Sequence, residues 1–282
     1  MRFAFALRAG LVPVSFAFVA PSFAAPITAD QVVDYSAGTV KNSYWGDPYT
    51  TASAALGLPN STQNVPDKFD ASGNQIAFAD NSAITPFNAS FNPQNVVAIS
   101  NGGSLTLHLG SPIVIGSGAA LGVHSAVGLN DASYPSGLNH NPAQTYTDSR
   151  VADLLVSENG TQWTDLGVHT FDSPTNIYTD VPDPYGSHAG TTLAEFSRPF
   201  TGGLHAFDGA TWTQTLAALD GSAGGTWVDL SGIAPPDVNY VRFSTATGQT
   251  MYVDAVVGDS SVPEPVVGGI VLFGIGALIR RR

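Results

Sequence analysis

Short segments in which apolar residues alternate with small or polar ones constrain the fold of this chain more than any other feature. The clearest runs from Val151 to Ser157, is followed by Asn159-Gly160, and continues in a second run from Thr161 to Leu166. Alternation with a period of two is typical of a strand that buries one face. Because Asn-Gly favours the positive φ angles of a type I′ turn, the pattern predicts an antiparallel β-hairpin.

Similar segments recur along the chain, and most are separated by Gly, Asn, Asp or Pro. They comprise Asn95–Ser100, Gly103–Leu109, Pro112–Ile115, Leu121–Val127, Val238–Phe243 and Met251–Val257. Gly102-Gly103 suits a turn between the first two, and one short helix is predicted from Thr213 to Leu219, ended by Gly221. The regular structure is therefore expected to be all-β.

Three long stretches lack this periodicity: residues 57–94, 130–150 and 172–190. Loops of this length are uncommon in compact domains and often carry function. Two interpretations stay open at this point, a functional role and decorative insertions in an exported protein.

The charge balance limits the classes of partner. Between residues 25 and 262 there are 21 acidic and five basic side chains, a difference of −16. Such a field repels nucleic-acid backbones and anionic lipid surfaces, whereas neutral glycans and divalent cations are compatible with it. Asp also favours turns, which accounts for its abundance without any ligand. The absence of Cys excludes a disulfide scaffold and a cysteine-based enzyme.

The N-terminus has the pattern of a secretory signal peptide. Arg2 and Arg8 are its only charges, an apolar stretch runs from Leu11 to Val19, and Ser22-Phe23-Ala24 places small residues at positions −3 and −1. Cleavage is expected after Ala24, with Ala25 as the alternative. The apolar run is too short to anchor the chain across a bilayer core of about 30 Å.

Three features follow one another at the C-terminus. Pro263, Glu264 and Pro265 precede residues 266–279, which carry no charge, and the last three residues are Arg280, Arg281 and Arg282. A helix over the apolar stretch would reach roughly 21 Å, which is adequate for a transient membrane span. The arginines would hold that end on the cytoplasmic side. A C-terminal hydrophobic helix is therefore predicted.

This order resembles the PEP-CTERM sorting signal of Gram-negative bacteria. The resemblance implies an exosortase, a membrane-embedded cysteine transpeptidase that recognises Pro263-Glu264-Pro265, removes the tail and passes the protein to the cell surface or an extracellular polymer. An ordinary tail anchor is the alternative. The expected organisation is a signal peptide (1–24), one β-sandwich domain (25–259) and a sorting tail (260–282). Membrane contact would then be confined to the tail before processing.

The order of segments in the body resembles the discoidin-like, galactose-binding-type jelly roll. The segments that carry the resemblance are residues 52–59, 102–114, 155–163, 225–230, 241–243 and 252–256. The resemblance covers most of residues 30–257. It implies an antiparallel jelly-roll β-sandwich of two packed sheets, with loops at one end that sometimes bind sugars or calcium.

Catalytic signatures are absent from the sequence. It contains no Gly-x-Ser-x-Gly, no His-Glu-x-x-His, no P-loop and no dinucleotide-binding fingerprint. A glycosidase needs two carboxylates about 5 to 9.5 Å apart, but a chain so rich in Asp supplies such pairs by chance. Asp153, Asp165, Asp229 and Asp254 are expected to face solvent or to bond loop backbones. No enzyme activity is predicted.

Aromatic residues in Gly-, Pro- and Asn-rich contexts are the candidate ligand contacts. Tyr44, Trp45, Tyr49 and Tyr134 are the best candidates for exposed rings that stack on sugars. For Tyr44 and Trp45 the alternative is a plug that seals one end of the sandwich. The other three tryptophans are assigned structural roles: Trp163, Trp212 and Trp227.

Calcium is the inorganic partner that fits Asp-rich loops, because it takes six to eight oxygen ligands. Residues 67–74 offer suitable groups without EF-hand spacing, so no ligands are assigned and no other cofactor is predicted. Together, these features predict an exported, exosortase-processed surface or matrix protein of a Gram-negative bacterium. Its expected role is non-catalytic contact with extracellular polysaccharide. A secreted carbohydrate-active enzyme and a purely structural matrix protein remain the alternatives.

Overall fold

The computed structural model describes residues 25–146, 150–233 and 235–259. The predicted signal peptide with its cleavage site at Ala24, and the sorting tail with its apolar helix and arginines, lie outside the described residues. In the part of the chain that is described, no helix is long and apolar enough to span a membrane.

Twelve strands and one α-helix account for the regular structure of the described residues. The strands are β1 (Ile27–Ser36), β2 (Lys68–Phe69), β3 (Gln75–Ala77), β4 (Val97–Ser100), β5 (Ser104–Val114), β6 (Ala120–His124), β7 (Val151–Ser157), β8 (Thr164–Thr170), β9 (Thr226–Asp229), β10 (Asp237–Ser244), β11 (Thr250–Val253) and β12 (Ala255–Asp259). The helix is α1 (Trp212–Leu219), and short 3-10 helices lie at Ala52–Ala55 and Leu204–Phe207. The all-β prediction is confirmed.

Eight strands hydrogen-bond in the order β8-β7-β10-β5-β1-β12-β6-β9, and every neighbouring pair is antiparallel. Strand β1 joins the two halves of this array. Its residues Ile27 and Thr28 pair with β12, whereas from Ala29 onward it pairs with β5. Strands β4 and β11 form a separate two-stranded sheet.

One core lies between the two layers of the sandwich. Apolar side chains from β5, β7 and β10 pack there with those of β4 and β11 and of β6, β9 and β12, and the largest include Leu105, Leu107, Leu154, Phe243, Ile99, Leu121 and Val256. Alternate residues of each strand enter this core, which is the two-residue period read in the sequence.

The three long stretches without periodicity contribute apolar side chains that pack outside the sandwich core. Phe87 packs in one smaller cluster with Phe200 and Phe207, and Ile84 and Ile177 pack in another with Phe196. Parts of these stretches are therefore packed into the fold, and a functional role for them stays a prediction.

Three details of the predicted strands differ in the structure. The residues at Gly102-Gly103 do not close a hairpin, because β4 pairs with β11 while β5 pairs with β1 and β10. The single strand predicted over Met251–Val257 is divided at Asp254 into β11 and β12, which belong to different sheets. The β7–β8 hairpin is confirmed, but only Gly160 of the Asn-Gly pair has a positive φ, so its turn is not type I′.

Candidate functional site

A groove of about 660 Å³ lies on the outward face of the edge strand β9. Trp227 and Asp229 alternate with Val228, which enters the sandwich core, so both point to the opposite side. On the neighbouring strand the positions paired with them are Gly122 and Ala120. Small residues on β6 thus leave room beside an aromatic ring and a carboxylate. We call this cavity the β9 groove.

Trp227 is held in a fixed orientation. Its indole Nε1 donates to the carbonyl oxygen of Gly224 over 2.9 Å. The ring lies against Gly122 so closely that a Cβ atom at that position would come within 2.7 Å of it. The half-buried indole also packs against the cluster that contains Phe200 and Phe207. A ring fixed in this way needs no reorganisation when a ligand contacts it.

Asp229 is exposed and lies two residues after Trp227 on β9, so both side chains are on the same face of the strand. Its Oδ1 accepts from the backbone N–H of Ser231 over 2.7 Å, and the Ser231 hydroxyl accepts from the N–H of Gly118 over 3.1 Å. The bonds from Ser231 lower the pKa of Asp229 below its ordinary value. This carboxylate is therefore ionised at neutral pH and acts as a hydrogen-bond acceptor.

Residues of the Pro199–Gly203 segment, together with Asp172 and Ser173, also line the groove. The N–H of Ser173 donates to the hydroxyl of Thr226 over 3.2 Å, which ties Ser173 to β9. Burial lowers the pKa of Arg150, and the charge of Asp172 acts against that shift. Asp172 thus lies within electrostatic range of a cation, and Asp229 is the second carboxylate of the groove.

The groove therefore presents one fixed aromatic ring, two carboxylates and the hydroxyls of Ser173, Thr201, Thr226 and Ser231. Apolar surface combined with a few oriented polar groups is the usual composition of a small-ligand or sugar site. The structural role assigned to Trp227 from the sequence agrees with its hydrogen bond and packing, whereas the groove beside it is not predicted there. The usable signal is the pair of small residues Ala120 and Gly122 on β6, the strand that pairs with β9.

The predicted contacts Tyr44 and Trp45 lie at the tip of a tight turn, residues 42–48, which we call the Tyr44 turn. Tyr44 is 96% exposed, and its ring meets that of Trp45 edge-on at 6.2 Å. Trp45 is half-buried and packs on Phe91 with ring centroids 5.7 Å apart. The plug interpretation thus describes Trp45 but not Tyr44.

Tyr49 is not the exposed ring that the sequence suggested. Its hydroxyl donates to the carbonyl oxygen of Phe91 over 2.7 Å, and its ring packs edge-on against Tyr252 at 5.2 Å. Burial, with a further contribution from Tyr252, raises the pKa of Tyr49 to about 12. Tyr49 therefore positions the chain that follows the Tyr44 turn.

Tyr134 is exposed but lies in a different part of the molecule. Its ring packs edge-on against Tyr185 at 5.0 Å, and the Tyr185 hydroxyl donates to Asp131 over 2.9 Å. The structure describes no contact between Tyr134 and the Tyr44 turn or the β9 groove. The four predicted aromatic residues therefore do not converge on one site.

The other two tryptophans have the structural roles assigned to them. The guanidinium carbon of Arg242 lies 4.1 Å from the centre of the Trp163 ring, and Trp212 packs edge-on against Phe87.

The Asp-rich loops use their carboxylates to bind their own backbone. Asp70 accepts from the N–H groups of Ser72 and Asn74 over 2.8 Å, and Asp131 accepts from three backbone N–H groups. In the described ranges, no three His, Asp or Glu side chains cluster closely enough to hold a metal ion. The excess of Asp over Glu follows from this turn geometry, because a short carboxylate reaches the N–H two residues on.

Comparisons with known proteins add little to this description. No protein-family model and no curated protein matches the chain. Among solved structures it is similar to CBM32-3 from a family 31 glycoside hydrolase from Clostridium perfringens, at 9% sequence identity and a TM-score of 0.25. The match covers 58% of this chain and 74% of that one. A likeness at this level supplies no argument about function, which is therefore drawn from the groove itself.

Proposed function

We propose that this chain is an exported surface or matrix protein whose β-sandwich binds a neutral polysaccharide in the β9 groove, without catalysis. One observation carries the proposal: the indole of Trp227 is immobilised beside a carboxylate and several hydroxyls on an open groove. The apolar face of a pyranose ring packs on such an aromatic ring, and the sugar hydroxyls then bond to the surrounding acceptors and donors.

The charge of the site supports a neutral ligand. Asp229 and Asp172 line the groove, and the body around it carries the difference of −16 between its basic and acidic side chains. A polymer bearing carboxylate, sulfate or phosphate groups would meet like charge in the groove. Neutral sugars, in contrast, use ionised carboxylates as strong hydrogen-bond acceptors.

The state of Asp229 favours binding over hydrolysis. A glycosidase requires one carboxylic acid that stays protonated until it reaches the glycosidic oxygen. The N–H of Ser231 bonds to Asp229 and lowers its pKa, so this residue is a poor general acid. A single carboxylate, Asp172, would remain for that role.

Export is proposed from the ends of the sequence. The segment ending at Ala24 supports secretion, and the order Pro263-Glu264-Pro265, apolar stretch and Arg280–Arg282 supports processing by an exosortase-type transpeptidase. Delivery to the cell surface or extracellular matrix would place the β9 groove where neutral polysaccharides occur. A structural calcium ion, suggested by the Asp content alone, has no assigned ligands.

Affinity electrophoresis of the full-length protein in mild detergent tests the proposal. Gels would contain galactomannan, hydroxyethylcellulose or dextran, with polygalacturonate as the anionic control. We expect retardation by at least one neutral polymer and none by polygalacturonate. Trp227→Ala should abolish the retardation, and Ala120→Leu, which fills the groove from β6 without removing the indole, should do the same.

The control variant is Trp212→Phe, which alters a tryptophan outside the groove and should leave the retardation unchanged. Absence of retardation by all neutral polymers would refute the proposal. Release of reducing ends from a retarding polymer, lost in Asp172→Asn, would instead identify the chain as a carbohydrate-active enzyme.

A further inference from the structure

The Tyr44 turn carries an aromatic side chain that contributes almost nothing to the fold. Tyr44 is 96% exposed, and its described contact is the edge-on approach to Trp45. Its hydroxyl has no hydrogen-bond partner among the described residues. A tyrosine ring left in water in this way gains no burial energy, so packing does not explain it.

The turn that presents this ring is nevertheless rigid. The N–H of Ser43 donates to the carbonyl oxygen of Asp47 over 2.7 Å, and the N–H of Gly46 donates to that of Ser43 over 3.0 Å. Gly46 has a φ of +87°, which closes the tip of the turn. An exposed ring on a rigid turn loses little conformational freedom when a ligand binds.

Two contacts fix the turn to the rest of the domain. Trp45 packs on Phe91, and Lys68 of strand β2 forms an ion pair with Asp47 at the base of the turn. The hydroxyl of Tyr49 bonds to the backbone of Phe91, so both aromatic residues hold the same segment. The position of Tyr44 is therefore set by tertiary structure.

A polar cleft of about 240 Å³ lies beside the turn. Its lining includes Asp47 and Lys68, together with Thr50, Asn92 and Gln94. The cleft has no net charge, since its one cation is paired with its one anion. The Asn92 amide is bonded to the backbone of Gln63, Asn64 and Gln94, so Thr50 and Gln94 supply the neutral polar side chains. Asp47 and Pro48 of the Tyr44 turn line this cleft, so the exposed ring and the polar cleft belong to one part of the surface, and the cleft shares no lining residue with the β9 groove.

We infer that the Tyr44 turn and its cleft form a second sugar-binding surface, which makes the domain bivalent for a neutral polysaccharide. The inference rests on the proposed function, because it assigns both surfaces the same class of ligand. A second contact on one polymer raises the apparent affinity by about 10²- to 10⁴-fold without any new interaction at the first. Two sites that engage different chains would cross-link the polymer, which is what a matrix component requires.

Isothermal titration of the full-length protein with a hexasaccharide cut from the retarding polymer tests this inference. We expect two hexasaccharides per wild-type chain, one per chain in Tyr44→Ala, one in Ala120→Leu and none in the double variant. Both single variants should lose at least tenfold in affinity for the intact polymer. Tyr134→Ala removes another exposed tyrosine outside both surfaces and should retain two sites. Because the Tyr44 ring is hardly buried, Tyr44→Ala should also keep the wild-type unfolding midpoint.

Each other outcome refutes a distinct statement. One hexasaccharide per wild-type chain, lost in Ala120→Leu and kept in Tyr44→Ala, would overturn bivalency while the β9 groove stands. One hexasaccharide lost only in Tyr44→Ala would place the single site at the turn and refute the groove. If no hexasaccharide binds while the polymer still retards the protein, the bivalent inference fails and the proposed function survives.

Discussion

The backbone N–H of Asp254 donates to the carbonyl oxygen of His124 over 2.9 Å, so two buried ionisable residues meet where β6 ends and β12 begins. His124 Nδ1 lies 3.2 Å from the hydroxyl of Thr175. Asp254 Oδ1 accepts from both the backbone N–H and the side-chain amide of Asn60. The two residues thus connect the sandwich to the long segments that cover it.

Burial shifts the pKa values of His124 and Asp254 in opposite directions. It lowers the pKa of His124 to about 3 and raises the pKa of Asp254 to about 7, although the bonds from Asn60 act against the second shift. The unfolded chain releases the proton of Asp254 near pH 4 and that of His124 near pH 6.5. Each group therefore makes the free energy of unfolding depend on pH.

Between about pH 4 and 6.5, the contributions of Asp254 and His124 to the free energy of unfolding change with pH in opposite directions. The folded state holds the Asp254 proton that the unfolded state has lost, so this contribution falls as pH rises through the window. The unfolded state holds a His124 proton that the folded state lacks, so that contribution falls as pH decreases. We expect the sum to leave the stability of the wild-type protein nearly flat across this window.

Asp254→Asn should remove the contribution of Asp254, so that the free energy of unfolding depends on pH through His124. Urea unfolding at half-unit steps would show the free energy of unfolding falling from pH 6.5 to pH 4, by up to about 1.4 kcal/mol per pH unit. The variant should also be at least as stable as the wild type at pH 8, because it no longer buries an ionised carboxylate. Equal pH profiles for the two proteins would contradict this account.

Gly122→Ala should damage both the fold and the β9 groove. A Cβ atom at this position would meet the Trp227 ring at 2.7 Å and a methyl group of Val257 at 2.8 Å. Overpacking of this kind costs about 1–3 kcal/mol, and displacement of the indole should weaken retardation by the polysaccharide. Thermal unfolding and affinity electrophoresis measure the two effects.

The matched control is Gly116→Ala. A Cβ atom at Gly116 would have no heavy atom within 4 Å apart from the adjacent residues of the chain, and the φ of this glycine is not in the left-handed region. The added methyl group should leave stability unchanged or raise it by up to about 1 kcal/mol, because it restricts the unfolded chain. Equal losses in the two variants would show that contact with Trp227 is not the cause.

In the turn between β7 and β8, the side chain of Asn159 holds the local backbone structure. Asn159 Oδ1 accepts from the N–H groups of Thr161 and Gln162, both over 2.9 Å. Asn159→Ala should cost about 1–2 kcal/mol in urea unfolding, because it leaves turn N–H groups without their acceptor. Asn159→Asp keeps the oxygen and should retain most of that stability, and a loss as large as that of Asn159→Ala would argue against the acceptor role.

These residues also show how far the sequence predicts the structure. The alternation in Val151–Ser157 predicts a strand correctly, because strand formation depends on a local pattern of burial. It does not distinguish a type I′ turn from the turn in which the Asn159 side chain accepts from Thr161 and Gln162. It also does not predict that β11 and β12 separate at Asp254, because that depends on strand partners distant in sequence. The groove beside Trp227 is not predicted either, because the small residues that leave room for it, Ala120 and Gly122, are distant in sequence.

The N-terminus of α1 offers a test in which local sequence is decisive. The Thr211 hydroxyl accepts from the N–H of Gln214, and Gln214 Oε1 accepts from the N–H of Thr211 over 2.9 Å, which is a complete capping box. Thr211→Ala should lower the free energy of unfolding by about 1 kcal/mol, whereas Thr211→Ser should preserve it. Because Leu219 of the same helix is buried beside Phe207, fraying should propagate into that cluster. Hydrogen exchange should then rise in both α1 and residues 204–207 of Thr211→Ala, and exchange confined to the first turn of the helix would show that the cluster is independent of the cap.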